Sequence, residues 1–220
     1  MSPMQIPADR RRFLTLAGLG VSAAALGGCG TLFKVATTTP SLYTLVAAKG
    51  FPAGPQVPWQ LVVDEPVASR AIDTDYIALR PSTTELKYFD SARWAERAPR
   101  MVQTLLVESF ENSGRIVAVG RQAVGLRADF NFVSELRDFQ AEYPKGLGAP
   151  PVIRVRLSVK MIVQPQQIIV AARGFESTRQ LTKNDMPSII AGFDDALGET
   201  LRQSVEWALA QSNPNTGKLL

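Results

Sequence analysis

Polar and apolar positions alternate most cleanly over Val152–Val163. There Ile153, Val155, Leu157, Val159, Met161 and Val163 fall on one phase, and Arg154, Arg156, Ser158 and Lys160 on the other. Successive strand side chains point to opposite faces, so this phase predicts a strand with one buried face and one exposed or partner-covered face, unlike a strand of a fully buried parallel sheet. Gln164-Pro165-Gln166 breaks the run, and residues 167–175 are predicted to pair back antiparallel. Upstream, residues 42–46 and 59–64 read as strands on either side of a Gly/Pro-rich loop, the second with Trp59, Leu61 and Val63 on one face. Tyr76–Arg80 and residues 84–89, split by Pro81-Ser82-Thr83, read as a hairpin or as two neighbouring strands. Residues 116–119 add a brief strand. In residues 129–141, Phe130, Phe132 and Leu136 share a phase that Phe139 leaves, which predicts a bulge, a twisted edge or a strand leaving the sheet.

Two stretches switch to a period of three to four. The first, with Asp90 or Ser91 as its cap, gathers Trp94, Ala98, Met101, Val102, Leu105, Leu106 and Phe110 on a broad apolar face. Arg93, Arg97, Gln103 and Glu108 fall largely outside it. Pro99 is expected to bend this helix or divide its first turns, and Asn112-Ser113-Gly114 to end it. The second runs over residues 187–209, with Asp185 as cap and Pro187 at its first position. Its stripe is Ile190, Phe193, Leu197, Leu201, Val205 and Ala208, widened by Ile189, Ala196 and Trp207. Two helices against the inner face of a sheet bury both patterns together. The expected fold is a single α/β domain with a mixed, mainly antiparallel sheet and two principal helices packed on one face.

The front of the chain has a different pattern. Residues 1–12 are polar and end in Arg10-Arg11-Arg12, residues 13–26 are apolar and rich in small side chains, and Leu26-Gly27-Gly28-Cys29 follows. A basic region, a short apolar region and small residues at a cut site make a secretory signal, and the apolar part is shorter than the roughly 20 residues a spanning helix needs. Leu26-Gly27-Gly28-Cys29 resembles the lipobox of bacterial lipoproteins, in which the cysteine thiol receives a diacylglyceryl group and signal peptidase cuts immediately before it. On that resemblance Leu26, Gly27 and Gly28 form the peptidase recognition site, Gly27 replacing the more usual Ala or Ser. The competing readings of Cys29 are a buried structural cysteine and an unlipidated leader. Arg10-Arg11 followed by Phe13-Leu14 also resembles a twin-arginine export motif, with Asp9 and Thr15 departing from it; three arginines serve a general secretory leader equally. Gly30, where an Asp would retain some lipoproteins at the inner membrane, points to outer-membrane delivery. The expected plan is a signal peptide over 1–28, a lipidated cysteine and flexible tether over 29–40, a folded domain over 41–210 and a flexible tail over 211–220. Each buried acyl methylene contributes about 0.8 kcal/mol, and durable anchoring takes more than one chain.

Composition narrows the chemistry. The 220 residues are 45% hydrophobic and 20% charged, enough for one core. With no His and a single Cys, the chain has no imidazole acid–base chemistry, no His-containing metal site and no intrachain disulfide. Of the formal charge of +4, Asp9 with Arg10, Arg11 and Arg12 supplies half, and what remains forms no basic stripe, which argues against nucleic acid as a partner. No glycine-rich nucleophile turn is present, and Gly146-Leu147-Gly148 lacks the strand–turn–helix context of a nucleotide site. No catalytic residue, cofactor or metal is expected. Asp73 and Asp75 read as a capped or solvent-facing turn, with a cation site as the alternative.

Several short runs in a fixed order carry a resemblance over residues 41–210. They are Tyr43-Thr44-Leu45, Asp73-Thr74-Asp75-Tyr76-Ile77, Leu86-Lys87-Tyr88-Phe89, Arg93-Trp94-Ala95-Glu96-Arg97, then Phe139, Arg173-Gly174-Phe175 and Trp207. Behind a lipobox, this order resembles the ABC-type transport auxiliary lipoprotein family. The resemblance implies a non-enzymatic accessory, held at a lipid membrane, to a transporter whose periplasmic component carries a mammalian-cell-entry (MCE) domain and which moves lipid or other hydrophobic compounds across the envelope. It supplies no catalytic residues, and it leaves homo-oligomers open. Arg93, Trp94 and Tyr88 are the candidate partner contacts, because Arg and aromatic side chains often anchor interfaces. Against this, Trp94 also reads as core and Arg93 as a helix-surface charge, while Tyr88 and Phe89 split between sheet faces. The alternative functions are a periplasmic lipid-binding carrier, which needs a continuous apolar groove, or a structural envelope lipoprotein.

Overall fold

The computed structural model describes residues 39–121 and 128–211, all within one compact unit that begins at Thr39. Residues 1–38, which include Cys29, residues 122–127 and residues 212–220 lie outside the described residues. The elements are β1 Ser41–Tyr43, β2 Val57–Val63, β3 Val67–Ala68, β4 Tyr76–Arg80, β5 Lys87–Trp94, α1 Ala98–Asn112, β6 Ile116–Gly120, β7 Phe130–Glu142, β8 Val152–Val163, β9 Ile168–Gln180 and α2 Met186–Leu209.

The thirteen residues of β7 organise the sheet. At about 3.3 Å per residue, such a strand offers each edge roughly 40 Å of pairing groups. One edge is taken by β8, antiparallel from Phe130↔Val163 to Glu142↔Val152. Along the other edge β2, β3 and β4 follow one another, all parallel, at Leu61↔Phe130, Val67↔Glu135 and Ala78↔Gln140. Beyond these, β9 is antiparallel to β8, β5 antiparallel to β4, β1 parallel to β5 and β6 parallel to β2. The result is an open mixed sheet of nine strands among the described residues. Antiparallel pairing dominates it by length, through the two long ladders of β8, although the parallel ladders are more numerous.

The expected phase slip in β7 is a bulge. Register shifts between Leu136 and Asp138, so Arg137 is the extra residue and Phe132, Leu136 and Phe139 all stay buried. Both helices cover the face these side chains share. Trp94, Phe139 and Phe193 meet with ring centroids 5.1–5.3 Å apart, tying β5, β7 and α2 together, and Phe110 meets Phe132 at 5.5 Å beneath α1. Burial of each such side chain contributes about 1.5–3 kcal/mol. Gly192 lets α2 close on this layer, since a Cβ there would sit 2.8 Å from both Ile153 Cγ1 and Leu181 Cδ2.

The second helix follows its signals: the Asp185 side chain accepts a hydrogen bond from the Ser188 N–H at 2.9 Å, and a proline occupies the first turn. The first helix does not. Residues 90–94 continue β5, with Ala92 and Trp94 inward and Arg93 between them outward, a period of two that the helical reading overlooked. The helix starts at Ala98, so Pro99 sits in its first turn, where no N–H donor is needed, and neither bends nor divides it. Gln103 is buried rather than outside, its Nε2 donating to the Val63 carbonyl at 3.0 Å. The first strand stops at Tyr43, because the following extended stretch is pinned to helices: Val46 N–H donates to Asp194 Oδ1 and Ala48 N–H to Ser109 Oγ. The two-residue β3 was not foreseen, and β9 runs on to Gln180 rather than ending at Phe175.

At the end of β2, Asp64 is half-buried with Oδ1 unpartnered, and Asn131 Nδ2 reaches Oδ2 only at 3.5 Å. Burial pushes this carboxyl above its ordinary pKa. A carboxyl with a raised folded pKa favours folding when protonated; that contribution is full below the ordinary carboxylate range and is lost as pH rises through the raised value. Asp64→Asn should therefore remove this loss and raise stability at neutral pH. Urea midpoints compared across the acid-to-neutral range check it, and a wild type that gains on the variant as pH rises would refute it.

Candidate functional site

The sheet face turned away from the helices carries the surface chemistry. In β5 the period of two sends Trp94 into the core and Arg93 outward. The register places Arg93 beside Leu42 of β1 and Tyr76 of β4, so the three form a row across neighbouring strands. Leu42 is 67% exposed and Tyr76 is 42% exposed. The Arg93 guanidinium lies 3.7 Å from the centroid of the Tyr76 ring, and Nη1 donates to the Phe89 and Ala92 carbonyls at 2.7 and 2.9 Å. A register irregularity between β4 and β5 brings Tyr88 opposite Ala78, with its ring 5.2 Å from that of Tyr76 and its hydroxyl donating to the Ala71 carbonyl at 3.0 Å. Arg93, Tyr76 and Tyr88 thus form a stack held by backbone bonds, with an exposed leucine at its flank.

Two of the three candidate contacts predicted from the sequence, Arg93 and Tyr88, meet in this stack. Arg93 stands on a strand, not on a helix surface. Trp94, at 1% exposed and packed on Phe139 and Phe193, is core and reaches no surface partner in this fold. Tyr76 was missed as a contact residue. Its signal was available in the strand phase, which sets it opposite the buried Ile77.

Farther across the same face, charges neutralise one another. Arg154 pairs with Glu142 and Glu176, Arg156 with Asp138, and the Gln140 amide bridges Asp138 and Glu142. The hydrogen bond to Glu142 holds the Arg154 pKa up. Asp73 pairs with Arg97, which also reaches Glu65 at 3.2 Å, while Asp75 accepts from the Thr74 hydroxyl. No group of three or more acidic or cysteine side chains that could hold a metal occurs among the described residues. Gly146-Leu147-Gly148 lies in the turn between β7 and β8, as its surroundings in the sequence imply. No described helix is long and apolar enough to cross a membrane. Arg10, Arg11, Phe13, Leu14, Leu26, Gly27, Gly28 and Cys29 fall outside the described residues.

Residues 43–204, nearly the whole described domain, match the family described as the ABC-type transport auxiliary lipoprotein component. The chain belongs to this family. The family description is of an auxiliary lipoprotein component and not of a catalyst. The crystal structure of a Xanthomonas campestris protein is similar, with 34% identity, a TM-score of 0.71 and coverage of 77% of this chain and 94% of that one. A second crystal structure, of an uncharacterized protein, is 14% identical at a TM-score of 0.58, over 78% of this chain and 97% of that one, and shares the fold. An uncharacterized Bradyrhizobium diazoefficiens protein is 25% identical over 158 residues, or 72% of this chain. The matched region spans only 41% of that longer relative.

For this auxiliary lipoprotein, Trp94→Ala should cost about 3–5 kcal/mol, as expected of a large core truncation. Urea unfolding measures it; a loss below about 1 kcal/mol would remove Trp94 from the core. Double-mutant cycles should show a coupling of about 0.5–1 kcal/mol between Arg93→Ala and Tyr76→Ala, and close to none between Arg93→Ala and Tyr76→Phe, which keeps the ring.

Proposed function

We propose that this protein is a periplasm-facing accessory lipoprotein, anchored through acylated Cys29 at the outer membrane, that docks with or organises the MCE-domain component of an ABC transporter for lipid or other hydrophobic compounds. The single observation that carries this reading is the family match across residues 43–204, which includes the strands of the outer-face stack. The anchor rests on the leader residues, with Leu26, Gly27 and Gly28 directing cleavage before Cys29, and with Arg10, Arg11, Phe13 and Leu14 serving export. After removal of residues 1–28, residues 29–40 tether the domain of residues 41–210, and residues 211–220 form its tail.

The docking face is the row Leu42, Arg93 and Tyr76 together with Tyr88. Interface anchors are typically aromatic and Arg side chains that are already ordered before binding, so that little side-chain freedom is lost on association. The Arg93 stack has that character: its guanidinium is fixed between a ring and two carbonyls. Leu42 supplies apolar area at the edge, immediately after the tether in sequence.

Crosslinking in native membranes should recover an MCE-domain transporter component, and Arg93→Glu combined with Tyr76→Ala should lower that yield about tenfold or more. Cys29→Ser should release the protein from the membrane fraction. Recovery of only unrelated envelope proteins, with anchoring intact, would sink the partner assignment. Lipid copurifying in stoichiometric amount with the domain would instead favour direct carriage.

A further inference from the structure

A cleft of about 490 Å3 opens at the carboxyl ends of β4 and β7, on the outer sheet face. Arg80 and Glu142 end these parallel strands in register, so their side chains leave the sheet on the same side. Pro81, Ser82 and Thr83 of the β4–β5 loop line one side, and Tyr143 with Pro144 the other. The walls are braced before any ligand arrives. Tyr143 N–H donates to the Arg80 carbonyl at 2.9 Å, the Tyr143 hydroxyl to Asn184 Oδ1 at 2.9 Å, and the Asn184 amide to the Leu147 carbonyl at 2.7 Å.

The charges of this cleft do not balance within the protein. Glu142 is engaged by Arg154 Nε at 3.0 Å and by Gln140 Nε2 at 3.1 Å. Arg80 has no carboxylate within ion-pair distance among the described residues, whereas Arg154 and Arg156 on the same face do. A guanidinium has five N–H donors. That of Arg80 uses one, from Nη2 to the Thr83 carbonyl at 2.9 Å, which also pulls the loop toward the cation. Its Nε is shut off from solvent without a partner. Among the described residues Nη1 and the Ser82 and Thr83 hydroxyls make no hydrogen bond. Withdrawing a cation partly from water is unfavourable unless an anion or acceptors compensate it, and here the chain supplies a single carbonyl.

We propose that this cleft is a binding site for a phosphoryl group, with Arg80 as its cation and the Ser82 and Thr83 hydroxyls as further donors. The guanidinium of Arg80, with Nη1 uncommitted, and the two hydroxyls line the same cleft, a set of donors suited to the spread oxygens of a phosphate. The volume lies within the range of small-molecule sites and leaves room for the group the phosphate esterifies, against the proline rings. A soluble glycerol phosphate and a phospholipid headgroup share this chemistry. The site depends on the fold alone and not on the identity of the docking partner.

Calorimetric titration of the full-length protein in nonionic detergent with inorganic phosphate, glycerol phosphate and a short-chain phosphatidylglycerol tests it. Saturable one-site binding of at least one probe is expected, weakened about tenfold or more in Arg80→Gln and again in Ser82→Ala/Thr83→Val, with circular dichroism and thermal midpoints unchanged. Binding of the soluble probes identifies a free phosphate ligand, and binding of the phosphatidylglycerol alone identifies a headgroup; either supports the site. No saturable heat with any probe, or affinity undiminished in a folded Arg80→Gln protein, overturns it.

Discussion

The sheet depends on one strand having both edges filled. An interior strand of thirteen residues exposes a long row of N–H and C=O groups, and leaving them unpaired beneath two helices would cost more than the sheet gains. A single long partner, β8, fills one edge. The other is filled piecewise by β2, β3 and β4, each too short to cover it alone. Three short strands laid end to end require the chain between them to leave and re-enter the same edge. That requirement explains why β3 is only two residues long and why β4 turns outward to β5. The Arg137 bulge belongs to the same constraint: it re-phases β7 so that Phe132 and Phe139, on either side of it, both meet the helices.

Filling both edges in this way separates the two faces of the sheet. The helix-covered face is close to uniformly apolar. The opposite face alternates between charges satisfied by one another, around Arg154 and Arg156, and groups satisfied only in part, at Arg93 and Arg80. The distinction is one of electrostatic closure. A surface ion pair whose members already neutralise each other has little to offer a partner. A cation resting on an aromatic ring, or one bonded to a single carbonyl, still has donors to give. Features of this kind that could recognise something outside the domain include Arg93 on β5 and Arg80 at the end of β4.

How much of this was legible beforehand depended on how far each signal was local. The strict alternation of β8 and the three-to-four spacing of α2, with Asp185 and Pro187 at its start, are local patterns, and both elements stand where those residues put them. The slip at Phe139 was readable as a bulge because periodicity breaks only when a residue is added. Residues 90–94 were misread because Trp94, Ala98 and Met101 fit a helical spacing by coincidence, and only pairing with Tyr43 and Tyr76 on distant strands selects the extended form. Gln103 looked solvent-facing because nothing nearby in sequence announces the Val63 carbonyl it bonds. The stack and the cleft are of this second kind. Arg93 and Tyr88 were visible as residue types, but Tyr76 and Arg80 gain their roles from register across strands.

A modest contact face is consistent with an anchored protein. A row of four side chains is small beside the roughly 1,600 Å2 that a standard stable interface buries, and an exposed cation–π stack contributes about 0.5–1 kcal/mol. Free in solution, such a face would hold a partner weakly and briefly. Attached to the same membrane system by a tether of residues 29–40, which at full stretch spans about 40 Å, it would meet that partner at an effective concentration in the millimolar range. Affinity then comes from confinement rather than from area, and the contact can be made and released as a transporter changes state. On the proposed reading the anchor and the stack work together: confinement by the tether would make a weak contact sufficient, and Arg93 with its neighbouring rings would decide which surface is met.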